Sequence, residues 1–571
     1  MIKTETKASN FQVFTFWTMA LFILVFQLGV NQLWASEDRW AEVAREMLMT
    51  GDWFHPAING EVYFDKPLLS YWPIVLLAKI TGILNEFIIR LPSALSALIA
   101  LYATIKFATK IWGRAVGITS GWLLLCGYGF IFQGRLAAAD MMNMTAVILA
   151  VLWFFQTKEK GGFWSYLLFW VICFGGALTK GLSALALPPI LVIIYLLLDG
   201  TWKKHLKISH GAAFLIGLGV FLSTFLISAR LPLPAGFDTA NSGLTGLELV
   251  WRENIVRVFK PFDHNDEPFF IYLFHVPKIM APWSVLLFIA IAAVSTKWKK
   301  LDLNTRWLLL VNLVVFLMFS ASGSRRWYYI LPIVPFLTIL IAEYIAGSGE
   351  YKWRDWWAKV HRWVLIVLTG IAVLAIPIAP YFLKLDFLPD DIKLIPGVII
   401  WTMPVVAIPA FIILVFGRKL IARYTMLPLP WAAVIVSSTL IIGAAFAVLY
   451  PAASNLRNEK DFAHILKNGL NGIKTENIAF FPKIYPKIIF YMNAKKPITV
   501  LQTADELKDF VNSNDEPKYL VAETRNRTLA SILTVFPDFP VENAEYQEKG
   551  VPFEKPGARK LKCWKLIPSK E

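Results

Sequence analysis

The stretch Ser36-Glu37-Asp38-Arg39-Trp40-Ala41-Glu42 continues through Ala44-Arg45-Glu46-Met47 and Gly51-Asp52-Trp53 to Tyr63-Phe64-Asp65-Lys66-Pro67. It packs charge of both signs between two apolar runs, 16–34 and 87–102. Charged side chains are expensive inside a bilayer, so this segment belongs at its surface, joining two membrane helices. Within it, residues 39–48 have helical spacing, with Trp40, Val43, Met47 and Leu48 apolar. That pattern predicts an amphipathic helix lying at the interface, with the charges of Glu42 and Glu46 either solvated or part of a site.

Outward from this loop the chain is mostly membrane. Of its 571 residues 57% are hydrophobic and 17% charged, and the mean hydropathy is +0.55. Soluble domains carry about 45–50% apolar and about 25% charged residues. Disorder, a collagen-like chain, a disulfide scaffold and a single soluble enzyme domain are thereby excluded. Cys126 and Cys173 stand in apolar runs and Cys563 is alone near the end, so neither a disulfide framework nor a CxxC metal site can be built.

Further apolar runs at 115–132, 141–155, 163–175, 182–198, 211–227, 269–294, 307–321, 328–345, 363–382, 395–416 and 427–449 raise the expected total to about thirteen spans. Alternate connections are basic: Lys106/Lys110/Arg114, Lys158/Lys160, Lys203/Lys204/Lys207, Lys297/Lys299/Lys300, Lys352/Arg354/Lys359/Arg362 and Arg418/Lys419/Arg423. If all thirteen runs span, each of these shares a side with the N-terminus. The N-terminus is then cytoplasmic and the C-terminus outside. The formal net charge of +16 is on this reading a topology signal, and no nucleic-acid partner is expected.

The outward connections are two long loops, 35–86 and 230–268, and short turns carrying Arg135 and Asp140, Lys180, and Arg325 and Arg326. A snorkelling lysine and a phosphate contact explain Lys180 equally well. The division expected is a transmembrane unit over 1–450 and a small soluble α/β domain over 451–571. Strand-like runs lie at 478–481, 497–501, 519–522 and 561–567, and Thr503-x-x-Glu506 is a capping box.

The first-loop residues, with Asn59-Gly60 and Asp65-Lys66-Pro67, resemble the first periplasmic loop of bacterial aminoarabinose transferases. These are polyprenyl-phosphate-dependent glycosyltransferases of the protein-mannosyltransferase-like superfamily, with the GT-C fold. Further matches follow in order: Arg135 with Asp140, Ala177-Leu178-Thr179-Lys180-Gly181 before Pro188, Asn254 to Arg257 with His264 and Pro268, Pro282-Trp283, and Tyr328-Tyr329-Ile330-Leu331-Pro332. The resemblance covers roughly residues 16–335. It implies inverting transfer of a sugar from an undecaprenyl-phosphate donor to lipid A or a related envelope glycolipid, at the periplasmic face of the bacterial inner membrane. The enzyme is expected to act as a monomer.

The residues suit that task. A lipid phosphate needs cations at the membrane surface, and Arg39, Lys66, Arg257, Lys180 and either Arg325 or Arg326 can supply them. Tyr328 and Tyr329 add hydroxyl donors. The carboxylates are expected to orient or deprotonate the acceptor, with Asp140, Glu37 and Asp38 as candidates. In relatives an acid and a histidine at the positions of Asp65 and His264 can bind zinc, so a divalent metal is an implied cofactor. The chain departs from its relatives at Ser36, which stands where they carry an Asp, and in a His264–Pro268 spacing one residue longer. Two other readings remain open: transfer to a protein hydroxyl or a growing polysaccharide, and a lipid-linked-sugar transporter. The latter lacks the internal repeat and the mid-span charge expected of it.

Overall fold

The computed structural model describes residues 10–237, 248, 251–252, 256, 267–377, 404–451, 458–537, 539–548 and 560–567. The helices of the first half are α1 (Asn10–Val25), α2 (Glu37–Thr50), α3 (Trp72–Thr81), α4 (Glu86–Trp112), α5 (Arg114–Leu125), α6 (Tyr128–Gly134), α7 (Ala139–Thr157), α8 (Phe163–Lys180), α9 (Leu182–Asp199) and α10 (Ile208–Arg230). Among the described residues eight helices are long and apolar enough to cross a membrane, and up to eleven spans result if each sharply bent pair counts as one.

The differences from thirteen uniform runs have local causes. The first helix stops at Val25, and the end of its apolar run folds back in turns. Arg90, from inside α4, holds that return by donating to the carbonyls of Leu28, Asn31 and Gln32 at 2.8–3.0 Å. The run 115–132 is broken between α5 and α6 with a 65° bend. The run 269–294 becomes Tyr272–Met280 and Ser284–Ser295 at 109°, broken at Pro282. Proline supplies no backbone N–H and its ring crowds the preceding turn, which favours a break there. Part of the run 395–416 lies outside the described residues.

The membrane core is built from α4, α5, α7 and α8, which pack on one another and on Val334–Ala346, with α9 and α10 against α8. A single large cluster of buried side chains, including Phe107, Trp122, Phe155 and Trp307, fills the space between them.

In the C-terminal part, strands β3 (Ile478–Phe481), β4 (Thr499–Val500), β5 (Lys518–Glu523), β6 (Tyr546–Gln547) and β7 (Leu561–Leu566) form one sheet in the order β4-β3-β5-β7-β6. A small hairpin, β1 (Ala57–Ile58) and β2 (Glu61–Val62), sits in the first loop. In the large sheet β3 is parallel to β4 and β5, while β7 is antiparallel to β5 and β6. Alternate residues divide between two apolar layers: Ile478, Phe480, Tyr519 and Val521 on one, Ala479, Phe481, Leu520 and Ala522 on the other. Strands covered on both faces read as continuous apolar runs, which is why β3 and β5 stand out in the sequence. The second layer is closed by Ala504–Val511, whose N-cap Thr503 accepts from the Glu506 N–H at 3.2 Å, and by Asn526–Val535.

The first layer is shared with the first loop. Its cluster unites Ile478 and Phe480 with Trp40, Val43 and Met47 of α2 and Val62 of the hairpin. The expected amphipathic helix forms, and α2 is buried between the loop and Pro486–Met492 instead of leaving its polar face to solvent. The cause is that its polar side chains find partners indoors. Arg45 makes a bidentate pair with Glu42 at 2.6 and 2.8 Å and also donates to the Ala494 carbonyl. Asn59 and Ile498 exchange two hydrogen bonds, each 2.8 Å.

Candidate functional site

A cavity of about 540 Å³ opens where the first loop meets the ends of α6, α7 and α8 and the segment 322–329. Its charged lining comprises Arg39, Asp65, Lys66, Asp140, Lys180 and Arg326. Helix geometry presents two of them. Asp140 is in the first turn of α7 and Lys180 is the last residue of α8, so each charge sits at the helix end whose partial charge favours it. Gly181 then turns the chain at φ 101°, ψ −158°, a conformation essentially confined to glycine, and α9 begins at once. Asp140 and Lys180 form an ion pair, and the ammonium lies over the rings of Tyr329 and Tyr328, 4.6 and 5.4 Å from their centroids. Behind them Asn143 donates to Ser183, itself part of the wall, at 3.0 Å.

The loop contributes the opposite wall. Asp65 accepts from Lys66 at 3.0 Å, from Tyr63 at 3.1 Å and from Arg39 at 3.4 Å, and Tyr63 also accepts from Arg39 at 2.8 Å. Burial opposes the charge on Arg39, but Tyr63 and Asp65 outweigh it and hold the guanidinium above its ordinary pKa. Tyr328 and Tyr329 stand in the same wall as hydroxyl donors.

Seven residues singled out in the sequence therefore line one cavity: Arg39, Asp65, Lys66, Asp140, Lys180, Tyr328 and Tyr329. Ser36 lines it too. Three others are corrected. Glu37 is fully buried, and its carboxylate is spent on a two-pronged pair with Arg90 (2.8 Å each) and on the N–H groups of Trp34 and Ala137 (both 2.9 Å). It braces the loop and has no oxygen left for a substrate. Asp38 lies outside the cavity lining and faces Lys487 and Arg39, its pKa raised by burial against their pull. Arg325 donates to the carbonyls of Glu267 (2.7 Å) and Ser320 (3.2 Å), so of the two arginines weighed it is Arg326 that lines the cavity. Arg257 and His264 lie outside the described residues. Gln133 and Trp40, also in the wall, were missed because an amide and an indole beside apolar runs give no signal of their own.

Among the described residues no three His, Cys, Asp or Glu side chains converge as a metal would need. Asp65 is already matched by two cations, which makes it a poor ligand for a third.

Comparison with known proteins agrees with this architecture. Residues 65–227 match the family model described as dolichyl-phosphate-mannose-protein mannosyltransferase. An undecaprenyl phosphate-alpha-4-amino-4-deoxy-L-arabinose arabinosyl transferase of Aeromonas salmonicida is 29% identical over 382 residues, 63% of this chain and 66% of the relative. The Aeromonas hydrophila protein of the same name is 28% identical over 381 residues, with the same two shares. The aligned stretch thus spans just under two thirds of these relatives. The solved structure of ArnT from Cupriavidus metallidurans bound to undecaprenyl phosphate superposes with a TM-score of 0.71 at 18% identity, covering 97% of this chain and 98% of that one. The archaeal oligosaccharyltransferase AglB from Archaeoglobus fulgidus reaches 0.50 at 9% identity, over 93% of this chain and 72% of that one. The fold is that of a helical GT-C membrane protein. Within that class, the chain resembles the aminoarabinose transferases.

Proposed function

We propose that the protein is an inverting glycosyltransferase that moves a sugar from undecaprenyl phosphate to lipid A or a related envelope glycolipid at the periplasmic face of the inner membrane. The observation that carries this reading is the meeting of Arg39 and Lys66 from the first loop with Lys180, Arg326 and the two tyrosines in one cavity. Cations and phenols grouped beside membrane helices suit a lipid phosphate, and preorganised charge is worth most where charge develops as the phosphate departs. On this reading the acceptor oxygen attacks the anomeric carbon from the face opposite the phosphate. The carbon–oxygen bond to the phosphate breaks, and its electron pair leaves on the lipid. Asp140 orients the acceptor. A phosphate acceptor is already ionised and needs no strong base, which agrees with a serine at position 36 of the cavity wall.

The two-domain division at residue 450, with the C-terminal sheet outside and the N-terminus cytoplasmic, belongs to the same proposal and is supported by the alternating basic connections. A divalent cation shared by Asp65 and His264 is the other source of positive charge. Chelation that abolishes transfer, with zinc restoring it, would support that source, and unchanged transfer would leave the phosphate to the protein's own cations.

Lipid A and envelope glycans from cells with and without the gene, compared by mass spectrometry, test the activity. The reading expects one added sugar that disappears without the protein and in Arg39→Ala and Lys66→Ala cells that still accumulate folded protein. Wild-type modification in those variants would overturn the phosphate clamp.

A further inference from the structure

Two stretches of the first loop, 34–40 and 65–67, form the part of the cavity wall that carries Arg39 and Lys66. Arg39 and Asp65 meet there at 3.4 Å although 26 positions of sequence separate them. Holding a loop of that length in one shape costs conformational entropy. The strands β1 and β2 between the two stretches have two residues each, and so short a hairpin is marginal by itself. The loop needs a brace from outside.

The C-terminal part of the chain braces each stretch just before it enters the wall. Ahead of 34–40, the Leu33 N–H donates to the Tyr491 hydroxyl at 2.8 Å, and the Lys460 N–H donates to the Gln32 side chain at 3.0 Å. Tyr491 in turn donates to Glu86 at 3.1 Å, in the first turn of α4, so one hydroxyl joins loop, C-terminal layer and membrane helix. Ahead of 65–67, Asn59 in the hairpin turn makes its two bonds with Ile498. Next to it, Gly60 lies so close to Pro497 that a Cβ there would stand 2.7 Å from the proline ring. Asn59 and Tyr491 are 8% and 7% exposed, so water competes little for either. Asp140 and Lys180, by contrast, are presented by the membrane helices α7 and α8.

Resting on the lipid-phosphate reading above, we infer that the C-terminal sheet sets the spacing of Arg39 against Lys66, and so the grip on the lipid phosphate, with Asn59 and Tyr491 as positioning residues. Neither belongs to the cavity lining, so each acts through the loop. A phosphate gains most from cations already in place, and a site held to about 0.5 Å loses its grip when its support loosens.

The test uses the full-length protein in nanodiscs and measures affinity for plain undecaprenyl phosphate by displacement of a labelled copy. Asn59 has φ 59°, so Asn59→Gly removes the amide without straining the turn. Tyr491→Phe removes the hydroxyl and keeps the ring. Each should weaken binding about 3- to 10-fold, the size of one or two hydrogen bonds. Thr503→Ala removes a helix N-cap on the far layer of the sheet, and should lower melting while leaving the affinity of folded protein within about 2-fold. A double-mutant cycle separates positioning from support of the fold. In a Lys66→Ala background, Asn59→Gly should cost about 2-fold or less, because a misplaced cation and a missing one lose the same contact. Full multiplication of the two losses, an equal loss in Thr503→Ala, or unchanged affinity in both Asn59→Gly and Tyr491→Phe overturns the inference. Wild-type protein that does not bind undecaprenyl phosphate sinks the lipid-phosphate reading instead, so the two failures are distinguishable.

Discussion

Glu37 and Asp140 are both carboxylates in the first turn of a helix, and their surroundings give them opposite duties. Glu37 neutralises Arg90 in the interior. Removing one partner of such a pair strands the other charge, at about 3–5 kcal/mol. Glu37→Ala should therefore lower the melting temperature in detergent sharply and reduce the yield of folded protein. Asp140 instead faces the cavity beside Lys180. Asp140→Asn keeps an amide beside Lys180, so it should lower melting less than Glu37→Ala does, while cutting transfer by about 100-fold or more, measured in proteoliposomes with a lipid A acceptor. The sequence makes Asp140 and Lys180 legible because charges at the ends of apolar runs call for an explanation. Glu37 is misread for a physical reason: its partner is 53 residues away inside an apolar run, and nothing local reveals that the two meet.

At the scale of elements, the helix α2 ties the cavity to the C-terminal sheet. Glu46, near its end, accepts from the N–H groups of Asn59 (2.6 Å) and Gly60 in the hairpin turn. Burial first, and then the neighbouring Glu42, push its carboxyl up to about 7, although Gly60 and Arg45 pull the other way. A carboxyl raised above its unfolded value binds its proton more tightly when folded. Its contribution to stability is therefore whole below about pH 4.5 and is lost as pH rises through about 7. The melting temperature of the wild type should fall between pH 5 and 7.5, and Glu46→Gln should flatten that slope. Equal slopes in the two proteins would remove Glu46 as the cause. Periodicity alone gives α2 its helix and its apolar face, but not its burial. That depends on the sheet some 440 residues later, where Ile498 pairs with Asn59.

For the whole molecule, the orientation proposed from the basic connections can be tested with thiols, because Cys126, Cys173 and Cys563 are all buried and give little background. Lys495→Cys, exposed beside the sheet, should react with an impermeant maleimide in intact spheroplasts. Lys203→Cys, exposed in a basic connection, should react only after the membrane is opened. The reverse pattern would invert the topology. Hydropathy finds most membrane helices here, yet it merges the two halves of the bent pairs, since a 65° or 109° break leaves the run equally apolar. The same breaks shape the wall near Gln133.

The burial of the cysteines has a consequence beyond labelling. Cys563 lies within β7 of the C-terminal sheet, fully covered, and burial raises its thiol far above the ordinary range. The thiolate is the species that attacks disulfides and peroxides, so a covered, protonated sulfur is inert toward both. On the proposed outward orientation, this thiol sits in an oxidising compartment without forming a crosslink or a mixed disulfide while the sheet stays folded.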